Sequence, residues 1–382
     1  MFTELEQTLR QRLDEGLYRR RQVLEGPQSV EVTVNGRQLI NFCGNDYLGL
    51  ASHPVVVEAM QRGAARYGVG GGASHLVCGH MTPHHSLEEE LADFVGRERA
   101  LLFSTGYQAN LGVLGVLCRR GNWVAEDRLN HASLLDGARL AGARLKRYPH
   151  GDVGELARWM AQHQGVSVIA TDAVFSMDGD MAPLGELARL ARERGTWLYV
   201  DDAHGFGVLG RQGRGTLDLL GLGQSQVPAY MATLGKAMGV FGAFVAGPQP
   251  LIENLIQQAR TYIFTTALPP AVAEACRASL RLLQEEDWRL VHLRKLIHRF
   301  RSGAASLGLP LMPSDTPIQP IVIGDNQKTL EISRKLWKRG LWIAAIRPPT
   351  VPVGSARLRI TLSAAHSEAQ LDRLLEALAG VL

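Results

Sequence analysis

The densest group of ionisable side chains in the sequence follows one short apolar segment. Trp197–Val200 runs directly into Asp201 and Asp202. His204 comes two residues later. If the segment is a buried strand, these groups lie at its carboxyl end, where burial and neighbouring charges shift pKa values. Three interpretations stay open for this group: catalysis by the ionisable side chains, a metal site, or a helix cap formed by one of the acids.

A lysine follows a second apolar segment. Ala229–Thr233 precedes Lys236, whose neighbours are small or apolar. Desolvation lowers the pKa of an ammonium group, as a Schiff-base lysine requires, although a lysine that extends into solvent is the alternative. Pyridoxal phosphate needs a carboxylate that keeps its pyridine nitrogen protonated and an amine that holds its aldehyde. The acid and the lysine after two strands therefore predict this cofactor.

The phosphate of such a cofactor also needs hydrogen-bond donors. Ala100–Phe103 is followed by a turn with Gly106 at its bend and then by the start of a helix, whose free N–H groups attract an anion. The hydroxyl of Thr233 is a second donor. A strand-to-helix turn with glycine is common in α/β proteins, so it supports the cofactor only together with the acid and the lysine.

A glycine-rich segment offers a competing interpretation. Gly68–Ala73 matches the letters of the G-x-G-x-x-[GA] dinucleotide fingerprint, but that motif must follow a strand. The preceding Val56–Tyr67 has the pattern of a helix, so the structural context of the fingerprint is missing. The Walker A, G-x-S-x-G and H-E-x-x-H motifs are absent from the sequence, which removes the simplest evidence for an NTPase, an α/β-hydrolase or a zinc protease.

The sequence does not predict a bound metal. A metal site at the acid-rich strand end would need further ligands, and the histidine cluster His80, His84 and His85 lies elsewhere, on a loop and a helix start. The cysteines are widely spaced and form no C-x-x-C motif: Cys43, Cys78, Cys118 and Cys276. Neither a zinc site nor a disulfide framework is expected from them.

Composition indicates a soluble globular chain. Of the 382 residues, 46% are hydrophobic and 20% charged, and the net charge of +4 is too small to indicate a nucleic-acid partner. Residues 1–21 contain four acids and no continuous apolar run, unlike a secretory signal or a transit peptide. The apolar stretch 237–247 is too short to span a bilayer. We expect a cytoplasmic protein without a membrane partner.

Between residues 100 and 247, short apolar segments alternate with helical patterns. The segments are Ala100–Phe103, Trp123–Glu126, Val166–Thr171, Trp197–Val200, Ala229–Thr233 and Ala243–Ala246. Strands that are apolar on both faces are covered on both sides, which predicts an α/β domain with a mostly parallel sheet between helices. We predict an N-terminal helix and hairpin arm at residues 1–44, this large domain at 45–280, and a smaller α+β domain at 281–382.

Five motifs are distributed over the whole chain: Asn45–Leu50, Asn130–Ser133, Phe175–Asp180, Asp201–Gly205 and Thr233–Lys236. Their combination resembles the α-oxoamine synthases, pyridoxal-phosphate enzymes of fold type I. Ile346–Pro352 and Ala356–Arg359 resemble one branch of that family. The resemblance implies a decarboxylative condensation of L-alanine with a pimeloyl thioester, of coenzyme A or a carrier protein, in biotin biosynthesis.

The resemblance also implies roles for individual residues around the cofactor. Lys236 would hold the aldehyde, Asp201 would pair with the pyridine nitrogen, and His131 would stack on the ring. These three and His204 are the expected catalytic residues. The expected cofactor contacts are Gly106, Tyr107, His131, Ser176, Asp201, His204, Thr233, Lys236 and Thr266, the last reaching the neighbouring subunit of a homodimer.

The expected substrate contacts, also implied by the resemblance, are Arg19, Asn45, His131, Thr350 and Arg359. Arg359 would hold the alanine carboxylate, and Arg19 and Thr350 the acyl substrate. Arg357 lies two residues earlier on the same predicted strand and faces the same side, so spacing does not choose between the two arginines. The choice of Arg359 rests on the resemblance, which leaves a supporting salt bridge to Arg357.

Three alternative functions stay open. A sibling synthase, such as glycine C-acetyltransferase or 5-aminolevulinate synthase, would share the cofactor residues and differ in its amino acid and thioester. An aminotransferase of the same fold would release a keto acid without using a thioester. A non-catalytic ligand-binding regulator would usually carry a DNA-binding module, and the residues before Asn45 leave no room for a helix-turn-helix.

Overall fold

The computed structural model describes residues 2–382, which form two compact units. The large unit comprises Leu50–Ser176 and Asp180–Leu290. The small unit comprises the residues up to Gly49, Met177–Gly179 and Val291–Leu382. The domain boundaries predicted at 44/45 and 280/281 remain predictions; the two units divide at 49/50 and at 290/291.

The described residues form thirteen strands and fourteen α-helices. The strands are β1 (Glu31–Val34), β2 (Arg37–Asn41), β3 (Arg99–Phe103), β4 (Trp123–Asp127), β5 (Arg144–Tyr148), β6 (Val166–Asp172), β7 (Trp197–Asp201), β8 (Ala229–Thr233), β9 (Ala243–Gly247), β10 (Ile318–Gly324), β11 (Leu341–Trp342), β12 (Ala344–Ile346) and β13 (Ala356–Thr361). The helices are α1 (Phe2–Asp14), α2 (Pro54–Tyr67), α3 (Thr82–Val95), α4 (Gly106–Leu117), α5 (Ala132–Leu140), α6 (Val153–Gln162), α7 (Leu184–Arg194), α8 (Thr216–Leu219), α9 (Gln249–Gln258), α10 (Arg260–Ile263), α11 (Pro270–Glu285), α12 (Trp288–Ser306), α13 (Asn326–Lys338) and α14 (Glu368–Ala379).

A seven-stranded sheet forms the centre of the large unit, in the order β3-β9-β8-β7-β6-β4-β5. Strands β5, β4, β6, β7 and β8 are parallel, and β9 runs antiparallel to both of its neighbours. Residues of all but β5 and of the flanking helices form one hydrophobic core, with Val168 and Val245 fully buried. The predicted mostly parallel α/β sheet and all six of its predicted strands are confirmed.

Strand β5 was not predicted from the sequence. Arg144–Tyr148 carries three basic residues, and only Tyr148 among its side chains is buried. The strand lies at the edge of the sheet, where one side is exposed and apolar residues are not required. An edge strand of this kind lacks the continuous apolar run that revealed the central strands.

The structure of the large unit also excludes a dinucleotide-binding fingerprint at Gly68–Ala73. Gly68–Ala73 follows helix α2, which ends at Tyr67, and not a strand. The helical prediction for Val56–Tyr67 is therefore confirmed, and the segment lacks the strand that positions a pyrophosphate in the fingerprint. Within residues 2–382, no helix has both the length and the apolar character needed to cross a bilayer.

The small unit joins the beginning and the end of the chain. The predicted hairpin of β1 and β2 turns at Asn35 and Gly36, whose φ angles of 51° and 70° are both positive, as a type I′ turn requires. Strand β2 pairs in parallel with β11, with Leu341 opposite Ile40. This pairing explains why the N-terminal arm shares a unit with the C-terminal segment.

The C-terminal elements of the small unit follow the sequence pattern closely. The apolar stretch Leu341–Ile346 divides into β11 and β12, and β12 joins β13 and β10 in a second small sheet. Helix α14 begins at a capping box, in which the Ser367 hydroxyl accepts the Gln370 N–H and the Gln370 side chain accepts the Ser367 N–H.

A buried acid on strand β4 makes stability depend on pH. Glu126, on β4, is fully buried, and burial raises the pKa of its carboxyl to about 8. The Asn130 amide and the charges of Arg147 and Arg139 lower this pKa by less than burial raises it. A folded-state pKa above the unfolded value means that the stability present at low pH is lost as pH rises through about 8.

We therefore expect Glu126→Gln to be more stable than the wild type at pH 9, by roughly 2 kcal/mol, and to lose this advantage towards pH 5. Thermal melts of both proteins across this range measure the difference. Glu98→Gln, at an exposed position, is the control and should shift neither curve. A difference in melting temperature between the wild type and Glu126→Gln that stays the same at every pH would contradict the prediction.

Candidate active site

The parallel strands of the large unit bring polar residues together at the carboxyl-terminal side of the sheet. Strands β4, β6, β7 and β8 are parallel neighbours, so their carboxyl ends lie side by side. Asp172 at the end of β6 pairs in register with Asp201 at the end of β7. His131 follows β4 and Lys236 follows β8. Groups that are far apart in the sequence thus meet where α/β sheets usually bind ligands.

Lys236 lies in a tight turn after β8. Its Nζ is 2.8 Å from Nε2 of His204, and its side chain is half-buried. The Gly239 N–H donates to the Lys236 carbonyl at 2.8 Å. Gly239 has a φ of 67°, and a Cβ there would lie 2.4 Å from the backbone nitrogen of Ala51. Glycine at this position allows the lysine-bearing turn to pack directly against neighbouring backbone.

The carboxylate of Asp201 is buried and held by two donors. Asn110 Nδ2 donates to its Oδ2 at 2.8 Å, and the Ala203 N–H donates to its Oδ1 at 3.0 Å. Only 4% of the Asp201 surface is exposed. The sheet edge therefore contains a fixed acceptor that is shielded from water, which suits a group that must hold a cation or a protonated ring.

Asn110 connects Asp201 to two other buried side chains. Its amide also donates to Ser133 Oγ at 2.7 Å, and the Tyr199 hydroxyl donates to its Oδ1 at 2.5 Å. Asn110 is fully buried on helix α4. Sequence reasoning did not assign it a role, because a single asparagine inside a helix carries no local signal; its importance comes from the strand that it faces.

We expect Asn110→Leu to reduce kcat by about 10- to 100-fold, because a hydrogen bond to a charged group is worth roughly 1.5–3 kcal/mol. The Asp201 carboxylate would lose one of its two donors. Tyr199→Phe is the matched control, since it removes only a bond to the far side of the Asn110 amide, and should have a smaller effect. Steady-state kinetics of the two folded variants measure this. Equal activity of Asn110→Leu and wild type would refute the positioning role.

Asp202 has a different environment from Asp201. It accepts the Thr216 N–H at 2.7 Å and hydroxyl hydrogen bonds from Thr216 at 2.6 Å and Tyr230 at 3.0 Å. Burial raises the pKa of Asp202 to about 7, against the lowering effect of these bonds. Its donors come from the loop and strand around it, so Asp202 supports the local structure while Asp201 is the acid aligned with Asp172 in the sheet.

His131 caps the N-terminus of helix α5 and is anchored by a second buried acid. Its backbone N–H donates to Asp172 Oδ2 at 2.6 Å, and its Nδ1 lies 2.7 Å from Ser133 Oγ. Desolvation lowers the pKa of the His131 imidazole, although the nearby Asp201 charge raises it. Burial raises the pKa of Asp172 well above its usual value, and Asp201 raises it further. A neutral imidazole at the sheet edge can stack flat on an aromatic ring.

Asp172 is a site residue that the sequence analysis missed. It follows the predicted strand Val166–Thr171 by one position, as Asp201 follows its own strand. That parallel spacing is the signal that could have found it. Sequence alone does not show that the two strands are neighbours, which is what makes the two acids a pair.

The predicted phosphate-binding turn has the expected structure. Helix α4 starts at Gly106, with Tyr107 in its first turn, and the Thr105 hydroxyl caps it by accepting the Gln108 N–H. The first N–H groups of a helix have no partner within the helix and bind anions. The Thr233 hydroxyl donates to the Gly242 carbonyl at 3.0 Å and would have to rotate to donate to a phosphate.

Two further predicted cofactor contacts lie in loops of the large unit. Ser176 is half-buried in the turn after Phe175, and the Phe175 N–H donates to the Asp180 carbonyl at 3.0 Å. Thr266 is exposed and forms an isolated bridge with Ser74.

The two arginines that spacing could not separate have different partners in the small unit. Arg359 donates to Asn45 Oδ1 from both of its terminal nitrogens, at 3.3 and 3.2 Å. Arg357 forms an ion pair with Asp178, with 2.5 Å between Nη1 and Oδ1, and both side chains are largely buried. The carboxylate partner of Arg357 is thus supplied by the chain itself.

Arg19 and Thr350 lie together although they are 331 positions apart, with Arg19 Nη2 donating to Thr350 Oγ1 at 3.0 Å. A neighbouring cavity of about 600 Å³ in the small unit is lined by Arg334, Arg347 and Trp342 among others. Burial lowers the pKa of Arg347, and the charges of Arg19 and Arg334 lower it further. This crowding of cations suits an anionic ligand.

The residues of the large unit fit pyridoxal phosphate by their chemistry. A buried carboxylate, an amine and an imidazole lie at adjacent strand ends, and a capped helix with free N–H groups begins after β3. These groups match the pyridine nitrogen, the aldehyde, the ring face and the phosphate respectively. The fit does not depend on the dinucleotide-like glycine segment.

Comparison with known proteins agrees with this assignment. A family model described as aminotransferase class I and II matches residues 37–378. The chain is 62% identical over 363 residues to 8-amino-7-oxononanoate synthase of Methylococcus capsulatus, covering 95% of this chain and 94% of the relative. It is 59% identical over 379 residues to the enzyme of the same name from Pseudomonas putida, covering 99% and 97%.

Solved structures show the same fold. A serine palmitoyltransferase variant from S. paucimobilis, described with a bound PLP–myriocin aldimine, superposes with a TM-score of 0.93 at 29% identity and covers 100% of this chain and 97% of its own. An 8-amino-7-oxononanoate synthase from Francisella tularensis superposes with a TM-score of 0.80 at 31% identity, covering 90% of this chain and 97% of its own. The predicted fold type I architecture is confirmed.

Proposed function

The chain belongs to the class I and II aminotransferase family, and we propose that it acts there as an 8-amino-7-oxononanoate synthase. It joins L-alanine to the acyl group of a pimeloyl thioester and releases carbon dioxide and the free thiol of coenzyme A or a carrier protein. The observation that carries this proposal is that buried Asp201 ends β7 and Lys236 follows the adjacent strand β8. The chain is also about 60% identical to relatives of that name.

The chain's own residues have distinct tasks in this reaction. Pyridoxal phosphate, when bound, supplies an electron sink that acidifies the Cα–H of the amino acid. Asp201 keeps a negative charge beside the pyridine nitrogen, and Asn110 orients that carboxylate. Lys236 Nζ removes the Cα proton, with His204 Nε2 at 2.8 Å to hold it in position.

His131 and the start of helix α4 complete the cofactor site in this proposal. The neutral imidazole of His131 covers one face of the ring. The N–H groups of Gly106 and Tyr107 bind the phosphate, assisted by the Thr233 hydroxyl after rotation. Ser176 contacts a ring substituent, and Thr266 reaches the phosphate of a second subunit.

Arg359 holds the alanine carboxylate, with Asn45 keeping the guanidinium in place. A guanidinium forms two parallel hydrogen bonds with a carboxylate, which an ammonium cannot reproduce. We expect Arg359→Lys to raise the KM for alanine about tenfold or more, with little change in the KM for the thioester. Steady-state kinetics with each substrate varied in turn measure both constants.

Arg357→Lys is the matched control, because Arg357 already has Asp178 as its carboxylate partner. Arg357→Lys should lower the melting temperature and leave the KM for alanine nearly unchanged. The carboxylate assignment moves to Arg357 if Arg357→Lys weakens alanine binding while Arg359→Lys does not.

The acyl donor is recognised by the small unit in this proposal. Arg19 and Thr350 contact the acyl substrate, and the nearby cavity with Arg334 and Arg347 supplies positive charge for the phosphates that coenzyme A and a carrier-protein arm share. The two donors are distinguished by comparing kcat/KM for pimeloyl-coenzyme A and for a pimeloyl carrier protein.

The experiment that tests the function is a substrate matrix. Purified protein loaded with pyridoxal phosphate is given alanine, glycine or serine together with pimeloyl-, acetyl-, succinyl- or palmitoyl-coenzyme A, and the ketone product is identified by mass spectrometry. Alanine with the pimeloyl thioester should give the highest kcat/KM. A preference for glycine or serine with another thioester would assign the chain to a sibling activity instead.

We also propose a homodimer in the cytoplasm. Apolar side chains around the Thr266 bridge are strongly exposed in the single chain, at 80% for Val69, 77% for Val77 and 70% for Phe264. Exposed apolar side chains in such proximity mark an interaction surface. Light scattering during gel filtration should give twice the 41.7 kDa chain mass.

A further inference from the structure

Histidines and a glutamate gather around the start of helix α3, and none of them is among the residues assigned above. The metal-binding atoms of His80, His85 and Glu88 all lie within 4.8 Å of one another. Those of His75, His80 and His84 form a second such group. His75 begins a short π-helical turn, His75–Gly79, that leads into the loop before α3.

His84 is already committed within the protein. Its Nδ1 accepts the Met81 N–H at 3.0 Å, and its Nε2 lies 2.6 Å from the Leu268 carbonyl, to which it must donate. Both ring nitrogens are therefore occupied, so His84 supports the loop and has no lone pair for a metal. The second group is thereby reduced to His75 and His80.

His75 and His80 fix one another. Their Nδ1 atoms are 3.1 Å apart, so one ring must donate a hydrogen bond and the other accept it. If His80 is the donor, its Nε2 carries the lone pair that a metal needs, as in metal sites where a second hydrogen bond sets the tautomer. His75 also stacks on Tyr262 at 5.0 Å between ring centres, which restricts its movement.

Glu88 supplies a half-buried carboxyl group. Glu88 and His85 are three residues apart on α3 and share one face of the helix. One Glu88 oxygen accepts the Leu102 N–H at 2.9 Å. The charge of Arg99 acts on Glu88, but the ion pair of Arg99 is with Glu253.

We propose that His80, His85 and Glu88 bind one divalent transition-metal ion, with Zn²⁺ as the best match, and that His75 orients His80. Two imidazoles and one carboxylate are ligands that Zn²⁺ prefers, and three protein ligands leave one position for water. A bound cation would coordinate the Glu88 carboxylate directly. It would also tie the loop after the π-helical turn to α3. This inference does not depend on the proposed function.

The test is isothermal titration of ZnCl₂ into the full chain, loaded with pyridoxal phosphate and free of any histidine tag. We expect one site per chain, with affinity reduced at least tenfold in His85→Asn and in Glu88→Gln. His298→Asn replaces an exposed histidine elsewhere and should leave the affinity unchanged. Glu89→Gln tests the adjacent carboxylate, which lies 3.4 Å from His85 Nε2, and should retain binding.

Thermal melts establish that each variant is folded, and Zn²⁺ should raise the melting temperature of the wild type but not that of His85→Asn. Absence of a stoichiometric site in the wild type would overturn the proposal. So would equal affinity in wild type, His85→Asn and Glu88→Gln, or loss of binding in Glu89→Gln with retention in Glu88→Gln.

Discussion

Replacing Lys236 with alanine is expected to reduce turnover by about 10⁴-fold or more, since the variant loses both the amine that binds the cofactor and the base at Cα. Lys236 Nζ has His204 Nε2 as a 2.8 Å neighbour, so an added amine in solution cannot take the same fixed position. Turnover is measured as thiol release from pimeloyl-coenzyme A in the presence of alanine.

The covalent role of Lys236 has a direct readout apart from activity. Borohydride treatment of the cofactor-loaded wild type should fix the cofactor on the Lys236 peptide, as seen by mass spectrometry, and the alanine variant should remain unlabelled. A thermal melt close to that of the wild type shows that the variant is folded. Full activity of Lys236→Ala, or label on another lysine, would refute the assignment.

Asp201→Asn is expected to reduce kcat by about 10²–10³-fold, because it removes the buried charge opposite the pyridine nitrogen while keeping the size of the side chain. Both Asp201 oxygens accept hydrogen bonds, from Asn110 and from the Ala203 backbone. An asparagine amide would place its own N–H₂ group against one of these donors. The variant should therefore also bind the cofactor more weakly.

Asp202→Asn is the matched control from the same strand end. Two of the three hydrogen bonds to Asp202 come from hydroxyl groups, of Thr216 and Tyr230, which can rotate to accept instead. Burial already raises the Asp202 pKa to about 7, so the charge is partly absent at neutral pH. Steady-state kinetics should show a much smaller loss than for Asp201→Asn. A larger loss in Asp202→Asn would mean that the essential acid is Asp202.

The part of the site that could be predicted from the sequence consists of ionisable residues that directly follow an apolar strand. Trp197–Val200 and Ala229–Thr233 are continuous apolar segments that end in an acid and, shortly after, a lysine. The structure shows that these two strands are neighbours in the sheet. The sequence pattern and the resemblance together therefore predict pyridoxal phosphate.

The sequence could not reveal residues whose role depends on a partner from another element. Asn110 lies on a helix, and its function arises because Asp201 and Ser133 lie opposite its amide. The ion pair with Asp178 distinguishes Arg357 from Arg359, yet Asp178 and Arg357 are 179 residues apart in the sequence. Such pairings are decided by tertiary packing and leave no local pattern.

The reaction itself is tested most directly by the fate of the alanine carboxyl carbon. The wild type, loaded with pyridoxal phosphate, is given pimeloyl-coenzyme A and L-alanine labelled with ¹³C in its carboxyl group. We predict that labelled carbon dioxide, free thiol and unlabelled 8-amino-7-oxononanoate form in equal amounts. Labelled pyruvate without thiol release would show an aminotransferase, and thiol release without labelled carbon dioxide would contradict the decarboxylative condensation.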